Sequence, residues 1–374
     1  MEHNKKKIMV VAGLARSLVN FRMHLLLEFK KHGLDVVACA PDDDSYVRNE
    51  LSKYDISFVK IRMNSTGLNP LFDIFSFVTL LFLFKKHKPD IVLSYTLKPI
   101  LYGSLAAYFS GVPEIVPMNT GLGFVFIGEG YLTKCLAFFL EKILKFIFKN
   151  SKTVLFQNSD ILNLFINNKL ISKDKTVLIN GSGVDLNHFS VKPLPKQPIF
   201  LMISRFLRDK GLLEYFVAAK SIKKKYPTAK FKLVGYIDGN PNSIKQSELK
   251  KLLEEGYVEF FGRLDDVRDV ISESSVYVLP SYCEGTPRSV LEAMAIGRPV
   301  ITTNAPGCRE TVIDGVNGYL VPIKDIGRLV EAMEQFILYP DLINTMGKES
   351  RKIAEEKYDV HKVNKVILKA MDII

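Results

Sequence analysis

Residues 191–211 read VKPLPKQPIFLMISRFLRDKG, and the fold can be argued outward from them. Pro193, Pro195 and Pro198 fix φ and remove three N–H donors, so this run serves neither a helix interior nor a central strand. It reads as a domain linker over 191–198. An apolar run of strand length follows at 199–204, and then a turn carrying Arg205, Arg208, Lys210 and Gly211. On both sides, apolar runs of this length alternate with helical patterns. They fall near 8–12, 35–40, 58–61, 91–95, 114–118, 153–157 and 176–179 before the linker, and near 231–235, 258–262, 276–280, 300–303 and 319–321 after it. Such alternation is the signature of βαβ units and parallel sheets. The expected fold is α/β, two Rossmann-like doubly wound domains. Ligands of such sheets bind beyond the carboxyl ends of the strands, so the two are expected to face one interdomain cleft. The expected domains are 1–190 and 199–357, with a terminal helix at 358–374 packing back on the first.

Composition agrees with two units of ordinary size. A single core stops growing at roughly 250 to 300 residues, and this chain has 374, of which 47% are hydrophobic. Cys39, Cys135, Cys283 and Cys308 stand far apart, with no C-x-x-C pair and no zinc spacing, which favours a reducing compartment and no structural metal. The apolar stretch after the basic start, 8–12, is too short for a signal-peptide core. The most apolar segment, 71–84, is interrupted by Asp73 and falls short of the roughly 20 residues a spanning helix needs. A cytoplasmic protein is expected. Net charge is 51 − 40 = +11, and residues 1–190 hold 23 − 16 = +7 of it. No Arg-rich helix, zinc finger or aromatic-basic ribonucleoprotein motif is present, so nucleic acid is not expected as a partner; an anionic membrane surface is.

Several chemistries are disfavoured by missing signatures. There is no G-x-x-x-x-G-K-[ST], and neither 121–123 nor 181–183 extends into G-x-G-x-x-G. G-x-S-x-G and H-E-x-x-H are also absent. Asp42-Asp43-Asp44 can be read as a metal-binding D-x-D, but between a strand and a polar helix start a solvated loop or cap fits better.

The residues that carry chemistry lie in the second half. Arg205 and Lys210 follow a strand at the start of a helix, where cations oppose the helix dipole unless an anion sits between them. Residues 281–297 read SYCEGTPRSVLEAMAIG. Thr286 is the expected N-cap, Pro287 the first helical residue and Gly297 the left-handed stop. Glu284 then lies in a loop, Glu292 projects from the helix, and free N–H groups near Arg288, Ser289 and Val290 face the loop mouth. A diphosphate flanked by sugar hydroxyls matches: amides and cations for the phosphates, carboxylates accepting from hydroxyls.

Arg205 with Lys210, then Glu284 and Glu292 seven residues apart, resembles the donor site of the retaining glycosyltransferases of family 4, which have the GT-B fold. The resemblance extends over 181–189, Phe261-Gly262-Arg263 and Pro306-Gly307-Cys308-Arg309-Glu310 through Asn317-Gly318. It implies that Arg205 and Lys210 hold the nucleotide diphosphate, that Glu292 holds the ribose, and that Glu284 contacts the donor sugar. Arg263 and Leu264 would bracket the base, with Gly285, Thr286, Ser289, Val290 and, from the first domain, Gly13 completing the donor side. Arg205, Lys210 and Glu284 are the implied catalytic residues, and no metal or other cofactor is required. Where family members carry a His after a later first-domain strand, this chain has Thr120. Acceptor-side candidates are Arg16, Lys98, Thr120, Gly121 and Gly123. Residues 19–22, 96–99 and 120–123 resemble the branch that transfers hexoses or N-acetylhexosamines in bacterial surface-polysaccharide and glycan assembly.

At 100° per residue, Lys134, Glu141, Lys142, Lys145 and Lys149 share one arc of a helix over 131–150 whose remainder is largely apolar, and a basic stripe on a broad apolar face is how an interfacial helix looks. A core helix with one wet edge is the competing reading. With Lys85, Lys86 and Lys88 as a second cluster, contact with the cytoplasmic face of an anionic inner membrane is expected, and a polyprenyl-diphosphate-linked sugar is the expected acceptor. The expected activity is a metal-independent retaining glycosyl transfer from a nucleotide sugar, UDP-linked by preference. The alternatives are a GT-B epimerase of nucleotide sugars and a non-catalytic membrane-associated protein that binds them.

Overall fold

A computed structural model describes residues 5–64, 70–121, 131–240 and 242–374. It divides into two compact units, Met1–Ser182 with Val363–Ile374, and Gly183–Lys362. Among the described residues the first unit holds β1 (Lys7–Val11), β2 (Asp35–Ala40), β3 (Ser57–Lys60), β4 (Ile91–Tyr95), β5 (Glu114–Asn119), β6 (Val154–Phe156) and β7 (Thr176–Leu178), in the sheet order β3-β2-β1-β4-β5-β6-β7. The second holds β8 (Ile199–Arg205), β9 (Lys230–Tyr236), β10 (Glu259–Phe260), β11 (Val276–Leu279), β12 (Val300–Thr303) and β13 (Gly318–Val321), in the order β10-β9-β8-β11-β12-β13. All pairings between these strands are parallel. Helices cover both faces, which is why the central strands are apolar without alternation; Ile8, Met9, Val10 and Val11 are all fully buried. Strand order reverses between β1 and β4 and again between β8 and β11. In open sheets of this kind, ligands bind beyond the carboxyl ends of the strands at such reversals. No helix among the described residues is long and apolar enough to cross a membrane.

The boundary between the units differs from the linker read at 191–198. Val184 N–H donates to Tyr358 O at 2.7 Å and Val184 O accepts from Val360 N–H at 3.1 Å, so the second unit begins at Gly183. Phe189 is buried in its core. The proline run is not a free tether either, because the buried Arg298 guanidinium donates to Lys192 O and Pro193 O at 2.9 and 2.8 Å. Prolines forbid regular structure there, but they leave carbonyls that a buried cation can hold. At the far end, Val363, Ile367, Leu368 and Met371 join the core of the first unit. Lys152 Nζ holds Met371 O at 2.9 Å and Asp372 at 3.0 Å.

The acidic run is engaged in caps. Asp42 Oδ1 accepts from Ala15 N–H at 2.7 Å, at the start of the helix Ala15–Lys31. Asp44 caps the helix Ser45–Ser52 through Tyr46 N–H and pairs with Arg16, while Asp43 pairs with Arg48.

Candidate active site

The second unit builds its site at the β8/β11 reversal. Arg205 is the last residue of β8, and a single 3₁₀ turn, Arg208–Lys210, separates it from the helix Leu212–Lys225. Gly211 joins the two in a left-handed conformation, φ 72°, and a Cβ there would lie 2.1 Å from Pro280 O beyond β11. Only glycine lets the two strand ends approach this closely. Tyr282 N–H donates to Asp209 O at 2.8 Å, and Ser281 Oγ donates to the same carbonyl at 3.2 Å. The loop after β11 is thus fastened to the turn that carries Lys210.

Lys210 Nζ lies 2.7 Å from Glu284 Oε1, with side-chain exposures of 13% and 16%. Burial opposes the lysine's charge, but the Glu284 carboxylate and Asp209 outweigh it and raise its pKa above the ordinary lysine value. Lys210 is therefore a charged, largely desolvated cation. Glu284 is held from behind, where its N–H donates to Pro306 O at 2.9 Å. Gly307, φ 80°, packs so closely that a Cβ would lie 2.1 Å from Glu284 O.

Arg205 is different in kind. Its side chain is 48% exposed and pairs with Asp238 at 2.9 Å. Burial works against the Asp238 charge, yet Ser243 Oγ at 2.7 Å, the Asn240 N–H and Arg205 together hold its carboxyl below the usual range. Arg205 is a surface cation, and Lys210 a largely shielded one.

The helix after the loop runs Arg288–Ile296 and stops at Gly297, φ 89° and ψ 39°, the left-handed cap that its sequence predicts. Its start is shifted by one residue: Pro287, not Thr286, is the cap residue, in extended conformation and without a side-chain bond. Val290 N–H donates to Pro287 O at 3.1 Å, so it is not free for a ligand, and the Val290 side chain is fully buried. Glu292 is no surface charge, since its side chain is 14% exposed and pairs with Arg288 at 2.9 Å. Burial pushes its carboxyl up, and Arg288 only partly offsets this. Arg288 also donates to Gly183 O at 2.5 Å. Ser289 Oγ is braced by Tyr277 OH at 2.6 Å, and the same hydroxyl lies 3.0 Å from Ile203 O.

Residues 184–353 match the family described as glycosyl transferases group 1, and residues 7–158 match the glycosyl transferase 4-like family. The chain is a glycosyltransferase. It is 27% identical over 370 residues to the N,N'-diacetylbacillosaminyl-diphospho-undecaprenol alpha-1,3-N-acetylgalactosaminyltransferase of Campylobacter jejuni, covering 95% of this chain and 96% of that one. It is 28% identical over 310 residues to the UDP-Gal:alpha-D-GlcNAc-diphosphoundecaprenol alpha-1,3-galactosyltransferase of Escherichia coli, covering 79% and 78%. HepE of Anabaena, solved with UDP-glucose, superposes with a TM-score of 0.77 at 18% identity over 98% of this chain and 100% of its own. The fold of this glycosyltransferase is GT-B.

Other residues predicted for the site divide. In the glycosyltransferase, Arg263 is exposed and stacks over Tyr236 at 4.9 Å, while Leu264 packs partly buried on the core of the second unit. Gly285 and Thr286 lie half-buried in the Glu284 loop. In the first unit, Gly13 sits at the β1/β4 reversal, where a Cβ would lie 2.8 Å from Thr96 Oγ1. Arg16 is held by Asp44 and lies over the Tyr46 ring at 4.4 Å. Lys98 is tied up in a half-buried ion pair with Asp73 at 2.8 Å, which argues against a direct acceptor role. Thr120 and Gly121 follow β5, where Gly121 N–H donates to Asn119 Oδ1 at 3.0 Å. Gly123 and the Lys134 side chain lie outside the described residues. Sequence reasoning missed Asp238, Arg288 and Tyr277. Only Arg288 had a signal, its i,i+4 spacing to Glu292.

Proposed function

We propose that this glycosyltransferase moves a hexose or N-acetylhexosamine from a UDP-sugar to a polyprenyl-diphosphate-linked sugar, with retention and without a metal, in O-antigen, capsule or glycoprotein-glycan assembly. The observation that carries the proposal is the largely shielded Lys210–Glu284 pair beside Arg205 at the β8/β11 reversal. Breaking the anomeric bond puts negative charge on the departing diphosphate and positive charge on the sugar ring. A fixed cation in a low-dielectric site stabilises the first without reorganisation. Glu284 then accepts from a sugar hydroxyl, and Glu292 from the ribose; an ionised carboxylate has about four acceptor sites, so the Arg288 bond leaves room for both partners. Retention follows from front-face attack, in which a leaving-phosphate oxygen takes the acceptor's proton. The acceptor class is supported by two relatives named for transfer onto diphospho-undecaprenol-linked sugars. The UDP preference is supported by one relative named for UDP-Gal and by a fold neighbour that binds UDP-glucose. We further propose that it works at the cytoplasmic face of the inner membrane, a reading supported by the lipid-linked acceptors for which those two relatives are named.

The deciding experiment measures free nucleotide across UDP- and GDP-sugars, with and without a polyprenyl-diphosphate-linked sugar. Release only with acceptor is expected. Conversion of the donor sugar without acceptor would make the protein an epimerase, and no turnover in any combination would make it a binding protein. Two further outcomes test the site. Chelation with EDTA leaves the rate unchanged, because two fixed cations do the work a metal would do; loss rescued by manganese overturns this. Glu292→Ala weakens UDP binding about tenfold in titration calorimetry, the value of one charge-assisted contact. Unchanged affinity would remove the ribose assignment.

A further inference from the structure

Three neighbouring helices of the first unit turn aromatic side chains toward solvent, and the pattern is clearest on the helix Pro70–His87. Its inner face packs Ser76, Leu80 and Phe84, all buried. An ordinary surface helix would carry polar residues opposite them. Here the opposite face carries Phe72, Ile74, Phe75, Val78 and Phe82, all exposed, and Phe82 is 66% exposed. At 100° per residue these span an arc of about 160°, and the first charges on it, Lys85 and Lys86, come only in the last turn. The short helix Ser104–Phe109 lies against this helix and also touches Tyr131–Lys149. Its exposed Phe109 meets Phe77 edge-on at 6.1 Å and Phe146 at 6.5 Å.

Tyr131–Lys149 completes the surface. Its Leu140, Leu144, Ile147 and Phe148 are buried, so it is a core helix; its outer arc carries Phe138, Phe139 and Phe146 among Lys142, Lys145 and Lys149. Phe139 is 66% exposed, and Lys142 Nζ lies over the Phe138 ring at 5.1 Å. Exposed apolar side chains scattered singly need no explanation, but a contiguous aromatic field rimmed by lysines does. A second copy of the chain would bring these lysine rims together, like charge against like. An anionic bilayer accepts both features: rings seated at the headgroup boundary, and ammonium groups reaching the lipid phosphates.

We infer that this three-helix face inserts its aromatic side chains into the interfacial layer of an anionic bilayer, with lysines of the rim setting the depth. The inference deepens the lipid-linked acceptor reading and rests on it only for its purpose, since the contact itself needs no acceptor. Binding is then chiefly apolar, and survives salt that would strip off a purely electrostatic contact.

The chain has no tryptophan, so a single one reports without background. Phe82→Trp and Phe139→Trp are mixed with vesicles of phosphatidylglycerol and phosphatidylcholine lacking any acceptor, in low and in high salt. A blue shift from both sites that persists in high salt is expected, with no shift from Phe216→Trp in the core of the second unit. Phe75→Ser/Phe82→Ser/Phe139→Ser lowers the vesicle partition coefficient about a hundredfold, roughly a tenfold factor for each of two fully seated rings. Its turnover on a short water-soluble acceptor stays at the wild-type rate, which also shows that it is folded. No shift with vesicles, a shift abolished by salt, or a shift that appears without vesicles as protein concentration rises would each overturn the inference, the last by making the face a dimer interface. Failure of the nucleotide-release assay leaves the vesicle result standing, so the two readings fail separately.

Discussion

Lys210→Ala is expected to lower kcat by about 10²–10³-fold, the cost of removing one preorganised charge from a water-excluded site. Arg205→Ala is expected to cost less, closer to tenfold, and mainly in KM. The two cations stand as equals in sequence, but Lys210 is 13% exposed and Arg205 is 48% exposed. Charge works harder where water is excluded, so the buried cation dominates. Loss of Lys210 also removes the cation beside the Glu284 carboxylate, and taking one partner from a shielded ion pair destabilises more than loss of the whole pair. A double variant separates the two effects. Lys210→Ala/Glu284→Ala should regain stability over Lys210→Ala in urea denaturation and yet remain inactive in nucleotide release. Recovery of turnover in the double variant would show that Lys210 serves only to neutralise Glu284.

What the sequence carried and what it hid have physical causes. All thirteen strands expected from apolar runs occur among the described residues, because a parallel sheet covered on both faces leaves an unbroken apolar signal. Gly297 was legible because a left-handed helix stop selects glycine. Arg205, Lys210, Glu284 and Glu292 were legible as a pattern. Their electrostatics were not: Asp238 reaches Arg205 from 33 positions away, and no local rule predicts such a pair. The start of the helix Arg288–Ile296 was misplaced by one residue, since Thr-Pro offers a cap and a first helical residue in either register. The linker was misassigned for a deeper reason. Proline announces what a segment cannot form, not which unit holds it. Likewise the apolar segment 71–84 showed that a helix avoids polar residues without showing that half of its circumference faces outward.

Arg298→Ala is expected to destabilise the second unit by about 3–5 kcal/mol, the range for stripping the partner from buried polar groups. Arg298 is 1% exposed, and burial pushes its pKa down to about 10. Its charge is kept by five backbone carbonyls: Ile271 O at 3.3 Å, Lys192 O at 2.9 Å, Ile296 O at 3.2 Å, Pro193 O at 2.8 Å and Ser272 O at 2.7 Å. The planar fork of a guanidinium can serve all of these groups at once, so Arg298→Lys should rescue little. Alanine would leave those carbonyls buried without a donor and open a cavity between the proline run, the end of the helix Arg288–Ile296 and the turn after Ser272. Because Lys192 O and Pro193 O are among them, the first visible failure should be local: residues 191–198 detach and become open to protease before the core unfolds. Limited proteolysis mapped to that run, beside urea midpoints, tests both parts. A variant that stays resistant there and loses less than about 1 kcal/mol would show that water can replace the guanidinium, and that the proline run is held by its own packing.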